Sequence, residues 1–449
     1  MKKVLLITAI LIPLITGCQK DPVPVNDQTL AENARDGLNE LMQVMYFWND
    51  KMPTVKASDY PGPAELLEAL RYKPVDKYSF VMTYEEFQAL MQGSVEGRHG
   101  ITLSLDTADV VRVVNIYKNS DLWPQGVRRG WIVKKVNNVD LAPLFINAVA
   151  TRDWTAYDNL MGPATVGLTN TFLFKRPDGT EVTYTSTKAS FTINSVTAYD
   201  VLDLPSGKTG YLCFEAFIDP SPAELNQAFA FFKANSVTDL IIDLRYNGGG
   251  ALDVAQQLAS LVMKPADTTK ICYKLKYNST VSATWDESYK FTKTTNPLGL
   301  DRVVFITTRS TASASEVVIS SLKPYISVSL VGDTTYGKPV GMNVFGFPFP
   351  TTSVPEPDYK YVFAPITFEY VNSSDWGGFY DGMIPDVQAI DDITRDFGDP
   401  EELSLKAAIA VLEGTKAAPA GPFRRNTIVT EGNKLPADLF LRSPKPFTK

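Results

Sequence analysis

Apolar residues recur at helical spacing between Ala31 and Trp48, with Leu38, Leu41, Met42, Met45 and Trp48 on one face. Shorter helical patterns follow at Ala64–Leu70 and Tyr84–Met91, and together the three predict a small helical N-terminal domain over residues 29–95. From about Gly97 the period shortens to that of strands. Gly100-Ile101-Thr102-Leu103-Ser104-Leu105 alternates, Val111–Ile116 alternates in part, and strand patterns continue through Gly126–Val139 and Thr171–Thr187, where Pro177-Asp178-Gly179 predicts a hairpin turn. Residues 96–195 therefore predict a β-rich domain. Beyond Val196 strands alternate with helices. Strands are predicted at Tyr211–Phe217, Leu240–Leu244, Val303–Thr307 and Val328–Val331, and helices at Pro222–Lys233, Leu252–Met263, Ala314–Leu322 and Glu401–Leu412. Such alternation predicts a multidomain α/β chain whose last domain, residues 196–415, is a parallel or mixed sheet covered by helices. Residues 264–300, with Trp285, interrupt that scheme as a loop or small insertion, and 416–449 read as a weakly structured extension.

Composition narrows the picture. At 449 residues, 44% of them hydrophobic, the chain is too long for one core and too apolar to be disordered. Its net charge of −7, without a dense basic cluster, argues against nucleic acid as a partner. Only one histidine is present, His99. A Ser-His-Asp triad, a Cys-His dyad or a multi-histidine metal site would each have to pass through it. No metal or organic cofactor is expected.

The N-terminus explains one of the three cysteines. Met1-Lys2-Lys3 supplies positive charge, Val4 to Ile15 is apolar, and Leu14-Ile15-Thr16-Gly17-Cys18 follows. The apolar run is too short to span a bilayer and fits a signal peptide over residues 1–17. The segment resembles a bacterial lipobox, which implies lipidation at Cys18, a tether over 18–28, and a membrane-anchored protein of the cell envelope facing the periplasm or the outside. Cys213 and Cys272 sit in apolar, strand-like contexts and read as buried thiols, with a disulfide between them left open.

Three segments could carry chemistry. Asp243-Leu244-Arg245-Tyr246-Asn247-Gly248-Gly249-Gly250 follows a buried strand, and its glycines allow a tight turn whose amides converge on one spot. Taken alone it could be a plain turn or a phosphate cradle. Thr311-Ala312-Ser313-Ala314-Ser315-Glu316 has the Ser-x-x-Glu spacing of a capping box, and the same geometry would hold Ser313 at a helix start beside the amide of Ala314. Thr335-Tyr336-Gly337-Lys338-Pro339 offers a lysine in a turn. With no histidine available as base, a serine nucleophile needs another, and a lysine whose pKa is lowered by burial can serve.

In this order the three segments resemble the C-terminal-processing (tail-specific) serine peptidases. Lys338 follows Ser313 by 25 residues, the spacing of that family's nucleophile and lysine. Asp76-Lys77-Tyr78-Ser79-Phe80 and Gly382-Met383-Ile384-Pro385-Asp386 resemble two further family segments, so the likeness covers roughly residues 30–414. It implies a crotonase- or Clp-protease-like α/β catalytic core, Ser313 as nucleophile rather than Ser315, Lys338 as base, and an oxyanion hole from Gly248, Gly249 and Ala314. It also implies that 96–195 is PDZ-like. Gly126-Val127-Arg128-Arg129-Gly130-Trp131 through Asn137-Asn138-Val139 resembles the PDZ strand and turn, with Trp131 where the family has Asp and Asn138 where it has Gly. Gly100, Ile101, Thr102 and Leu103 would then bind a peptide by strand addition, with His99 beside them. The substrates implied are unfolded or C-terminal segments of polypeptides. Met342 stands where triad members of the family carry a glutamine that orients the lysine. That departure, with Trp131, motivates the alternative of a non-catalytic envelope protein that binds peptides on the same fold. An acyl-CoA enzyme of crotonase type does not fit a chain with an export signal.

Overall fold

The computed structural model describes residues 27–415 and 429–430; the leader, Cys18 and most of the tether lie outside the described residues, as does the extension apart from Val429–Thr430. A six-stranded sheet runs in the order Val196–Leu204, Gly207–Phe214, Asp239–Asp243, Arg302–Thr307, Ser327–Gly332, Val387–Gln388. The first pair is antiparallel and every later pair parallel.

Its two faces follow directly from the period of two along each strand. Leu240 and Ile242 enter one core with Val303 and Phe305, while Ile241 enters another with Val304 and Ile306. The first core is closed by helices Ser221–Ala234, Leu252–Val262 and Ala314–Leu322, the second by the terminal helix Leu403–Leu412. Strands buried on both faces read as continuous apolar runs, which is why Leu240-Ile241-Ile242 shows no alternation.

The N-terminal helices do not enclose a core of their own. Ala34, Leu38, Met42 and Met45 of the helix Asp27–Met45 join the same apolar cluster as the helices on the first face of the six-stranded sheet. Full burial of a side chain such as Leu38 contributes about 1.5–3 kcal/mol relative to exposure. Residues 271–290 take the second of the two expected forms, an insertion rather than a loop. Ile271–Tyr277 and Glu287–Lys290 pair and extend an antiparallel sheet with Ile366–Val371 and Val340–Met342.

Residues 101–187 supply six strands of a separate seven-stranded sheet around Ile101, Val113, Val133, Phe145, Phe172 and Phe174, the seventh being Val429–Thr430. Two helices that the sequence pattern left unassigned, Leu141–Thr151 and Thr155–Met161, cover it. Trp131 is buried there against Phe174, an apolar plug where a carboxylate would need a partner. Asn137 and Asn138 have φ of 50° and 64°, the left-handed turn conformation that asparagine tolerates. The sheet's outer strand, Ile101–Leu105, pairs with Val429–Thr430 of the extension. Cys213 and Cys272 are buried free thiols, which answers the open disulfide question.

Candidate active site

The site is built where the parallel strands end. Strand Asp239–Asp243 delivers the glycine turn, strand Arg302–Thr307 leads to Ser313 at the start of helix Ala314–Leu322, and strand Ser327–Gly332 leads to Lys338. Open α/β sheets place their ligand sites at this carboxyl end.

Ser313 has φ 55° and ψ −117°, a conformation that L-residues avoid and that costs on the order of 1–3 kcal/mol. Strain of this kind is found where a side chain must be presented at a sharp strand-to-helix turn. The glycine turn packs directly behind it. A Cβ on Gly249 would lie 2.8 Å from the Ser313 Cβ and 3.0 Å from the Ala314 nitrogen, so only glycine allows the approach. Asn247 ties the two turns together. Its carbonyl accepts the Ala312 amide at 3.1 Å and the Ser315 hydroxyl at 3.0 Å.

The structure thus brings Gly248-Gly249, Ser313 and Ala314 together, with one adjustment to the expected amide donors. The N–H of Gly249 donates to Asn247 Oδ1 at 2.9 Å, so Gly249 serves the close approach and Gly248 is the turn's donor candidate. Ala314 opens its helix, and a helix start leaves its first amides without intrahelical partners. Ser315 is fully buried and its hydroxyl donates to the Asn247 carbonyl.

Lys338 is buried as well, with Nζ 5.1 Å from the centre of the Tyr78 ring. Two residues hold its backbone against that of Ser313: Glu316, which the sequence pattern reads only as a helix cap, and Tyr370, which it leaves unassigned. Glu316 is fully buried, and its Oε2 accepts the amides of both Ser313 and Lys338, each at 2.9 Å. Those two nitrogens therefore cannot be further apart than twice that distance. Its Oε1 accepts the Thr335 hydroxyl at 2.6 Å and the Gly337 amide at 2.9 Å. Burial pushes the Glu316 carboxyl above its usual pKa, and the four donors act against that shift. On the carbonyl side, the Tyr370 hydroxyl lies 2.8 Å from the oxygen of Lys338 and 3.3 Å from that of Ser313. Met342 is a core residue on strand Val340–Met342. The backbone of Lys338 is thus held on its amide side by Glu316 and on its carbonyl side by Tyr370.

The two outlying segments converge here too. The Tyr78 hydroxyl donates to the Gly337 carbonyl at 3.2 Å, and Asp76 fixes that segment by accepting from Tyr78 N, Ser79 N and Ser79 Oγ. Met383 exchanges two hydrogen bonds with Thr335, one to the backbone and one to the hydroxyl. Behind the glycine turn, Arg245 pairs with Asp243, Asp391 and Glu402. Asp391 also accepts from Arg129 of the 101–187 sheet domain at 2.6 Å, which joins that domain to the strand carrying the turn. His99 is buried within the same domain, its ring nitrogens each 2.8 Å from Ser186 Oγ and Asn170 Oδ1, and burial pulls its pKa down to about 4. Gly100, Ile101, Thr102 and Leu103 lie on or beside the outer strand of the sheet, next to Val429–Thr430.

Residues 208–388 match the family model Peptidase family S41, and residues 33–80 match Peptidase S41 N-terminal domain, together just over half of the chain. A protein of Staphylococcus saprophyticus named as a CtpA-like serine protease is 22% identical over 69% of this chain and 58% of its own length. A carboxyl-terminal-processing protease of Picosynechococcus is 24% identical over 64% of this chain and 65% of its own. The chain spans about three fifths of the length of the curated relatives it matches. The fold is that of a Bacteroides fragilis protein assigned to the S41 proteases, with a TM-score of 0.67, 20% identity, and coverage of 84% of this chain and 97% of that one.

Proposed function

The chain belongs to peptidase family S41, and from that premise we propose that it is a serine endopeptidase working through a Ser313–Lys338 dyad. The observation that carries this reading is the single Glu316 oxygen that accepts the amides of both residues. Ser313 Oγ attacks the scissile carbonyl carbon while neutral Lys338 Nζ accepts its proton. The oxyanion forms against the amides of Ala314 and Gly248, and the dipole of the helix that Ser313 opens favours that charge. Lys338 then returns the proton to the leaving amine, and water, deprotonated by the same lysine, hydrolyses the acyl-enzyme.

Residues 96–195 are proposed as a PDZ-like domain that takes an extended polypeptide end on the strand Ile101–Leu105, its main chain adding a strand to the sheet. The carboxyl-terminal-processing name of the Picosynechococcus relative agrees with substrates of that kind. Among the described residues no helix is long and apolar enough to cross a membrane. Envelope anchoring is proposed through lipidated Cys18, on the sequence of residues 1–18 alone.

A serine-directed phosphonate probe tests the nucleophile. It should label the parent protein at Ser313, identified by peptide mass spectrometry, and leave Ser313→Ala unlabelled. Labelling at another serine, or hydrolysis surviving in Ser313→Ala, would overturn the assignment.

A further inference from the structure

The outer strand of the 101–187 sheet is not bare. Val429 pairs with Leu103 and Thr430 with Thr102, antiparallel, while the other edge of Ile101–Leu105 is taken by Val111–Ile116. The pairing comes from far along the chain, beyond the helix Leu403–Leu412. Its sequence suits the role. Thr427-Ile428-Val429-Thr430 is a run of four β-branched residues in an extension otherwise rich in Pro, Gly, Ala and charge, and β-branched residues favour the pleated strand. The about 14 residues from Thr415 to Val429 can span roughly 50 Å when extended, so the chain can reach its own sheet.

We propose that the edge of Ile101–Leu105 is a peptide site whose resident ligand is the chain's own segment around Val429–Thr430, competing in cis with a substrate's extended end. This rests on the peptide-binding reading of residues 96–195 given above. Strand addition uses main-chain N–H and C=O groups, and one sheet edge offers one such row. An incoming polypeptide must therefore displace Val429–Thr430 before it can pair with Thr102 and Leu103. A tether of this length holds its end at an effective concentration of about 1 mM. A free peptide whose Kd at the vacant edge is about 0.1 mM would then bind the full chain about tenfold more weakly. Substrates with strongly strand-forming ends overcome that competition and weakly pairing ends do not, so the extension acts as a threshold on which polypeptides engage the protein.

The test compares three proteins: the full chain, a chain ending at Thr415, and the full chain carrying Val429→Pro with Thr430→Pro, which removes two backbone donors without shortening anything. The probe is a fluorescent peptide of residues 424–434, read by anisotropy, alongside amide exchange over Ile101–Leu105 and hydrolysis of a short peptide lacking any long tail. The truncated and the proline variants should bind the probe about tenfold more tightly than the full chain and exchange the edge amides of that strand faster. All three should hydrolyse the short peptide at equal rates. Equal probe affinity in all three proteins would overturn the inference while leaving the peptide-binding reading intact. Failure of the probe to bind any of them would overturn both. A full-length dimer that dissolves on truncation would show the segment pairing in trans and overturn the competition in cis. Loss of short-peptide hydrolysis in all three would tell against the peptidase reading alone, since probe binding does not depend on Ser313.

Discussion

Glu316→Gln perturbs the one carboxylate that holds the two proposed catalytic residues in register. One glutamine oxygen keeps two of the four hydrogen bonds, while the new amide group faces two hydrogen-bond donors. If it replaces Oε2, those donors are Ser313 N and Lys338 N, both at 2.9 Å. If it replaces Oε1, they are the Thr335 hydroxyl and Gly337 N. Each lost bond to a charged acceptor is worth about 1.5–3 kcal/mol, less what is regained by no longer burying a charge. A net stability loss of about 3 kcal/mol at pH 7 is expected. Misplacement of reacting groups by an ångström costs about 100-fold in rate, so kcat should fall by that order with a smaller change in KM. The pH dependence separates the two effects. Because burial raises the Glu316 carboxyl, its contribution to stability is fully present below the unfolded pKa and fades as pH rises through the folded value. Activity runs the other way, since the ionised form is needed to accept four donors, and should show an acid limb above the ordinary glutamate range. Denaturant unfolding and kcat against pH, on parent and variant, measure both. A Glu316→Gln protein with parental kcat, or one whose profile keeps a second acid-side ionisation beside that of Lys338, would refute the bridging role.

Ser313→Gly should abolish hydrolysis yet raise stability by about 1 kcal/mol in thermal unfolding, because glycine relieves the strain at φ 55° and loses only a few tenths as a helix cap. Gly249→Ala should destabilise and inactivate, its Cβ meeting Ser313 at 2.8 Å, whereas Gly179→Ala, in open space at φ +89°, should cost about 1 kcal/mol and leave kcat unchanged. Burial works against the charged form of Asp391, but the guanidiniums of Arg129 and Arg245 win and hold its carboxyl well below the usual range. Its stabilisation is therefore present above the unfolded pKa of about 3.9 and lost as pH falls below it. Asp391→Asn should lose about 3–5 kcal/mol at pH 7 in urea unfolding and show a shallower further loss between pH 5 and 2.

The alternation of apolar strands and helices after Val196 was legible because each element is long enough to show its own period. The capping spacing of Ser313 and Glu316 was visible as well. What Glu316 does with its remaining donors was not, because Thr335 and Lys338 meet it only once the fold has brought 19 to 22 residues of chain back. Tyr370 carries no local signal at all; it acts from strand Ile366–Val371 through its pairing with Val340–Met342. The strand Ile271–Tyr277 read as interruption because its partner Ile366–Val371 lies some 90 residues onward. Val429–Thr430 shows the same limit: four β-branched residues suggest a strand, but only the fold supplies the edge to pair with.

The most direct test of the dyad is kcat/KM against pH for the parent, Lys338→Ala and Lys338→Arg on a short peptide. A lysine base must be neutral, and burial disfavours its charged form, so the parent rate should rise with pH along a limb whose midpoint is the Lys338 pKa in the free enzyme. Arginine keeps the charge and cannot deprotonate in this range. Lys338→Arg should therefore be as inactive as Lys338→Ala across the profile, with both retaining a folded transition. Substantial hydrolysis by Lys338→Arg, or a parental limb that persists in Lys338→Ala, would contradict a Ser313–Lys338 mechanism.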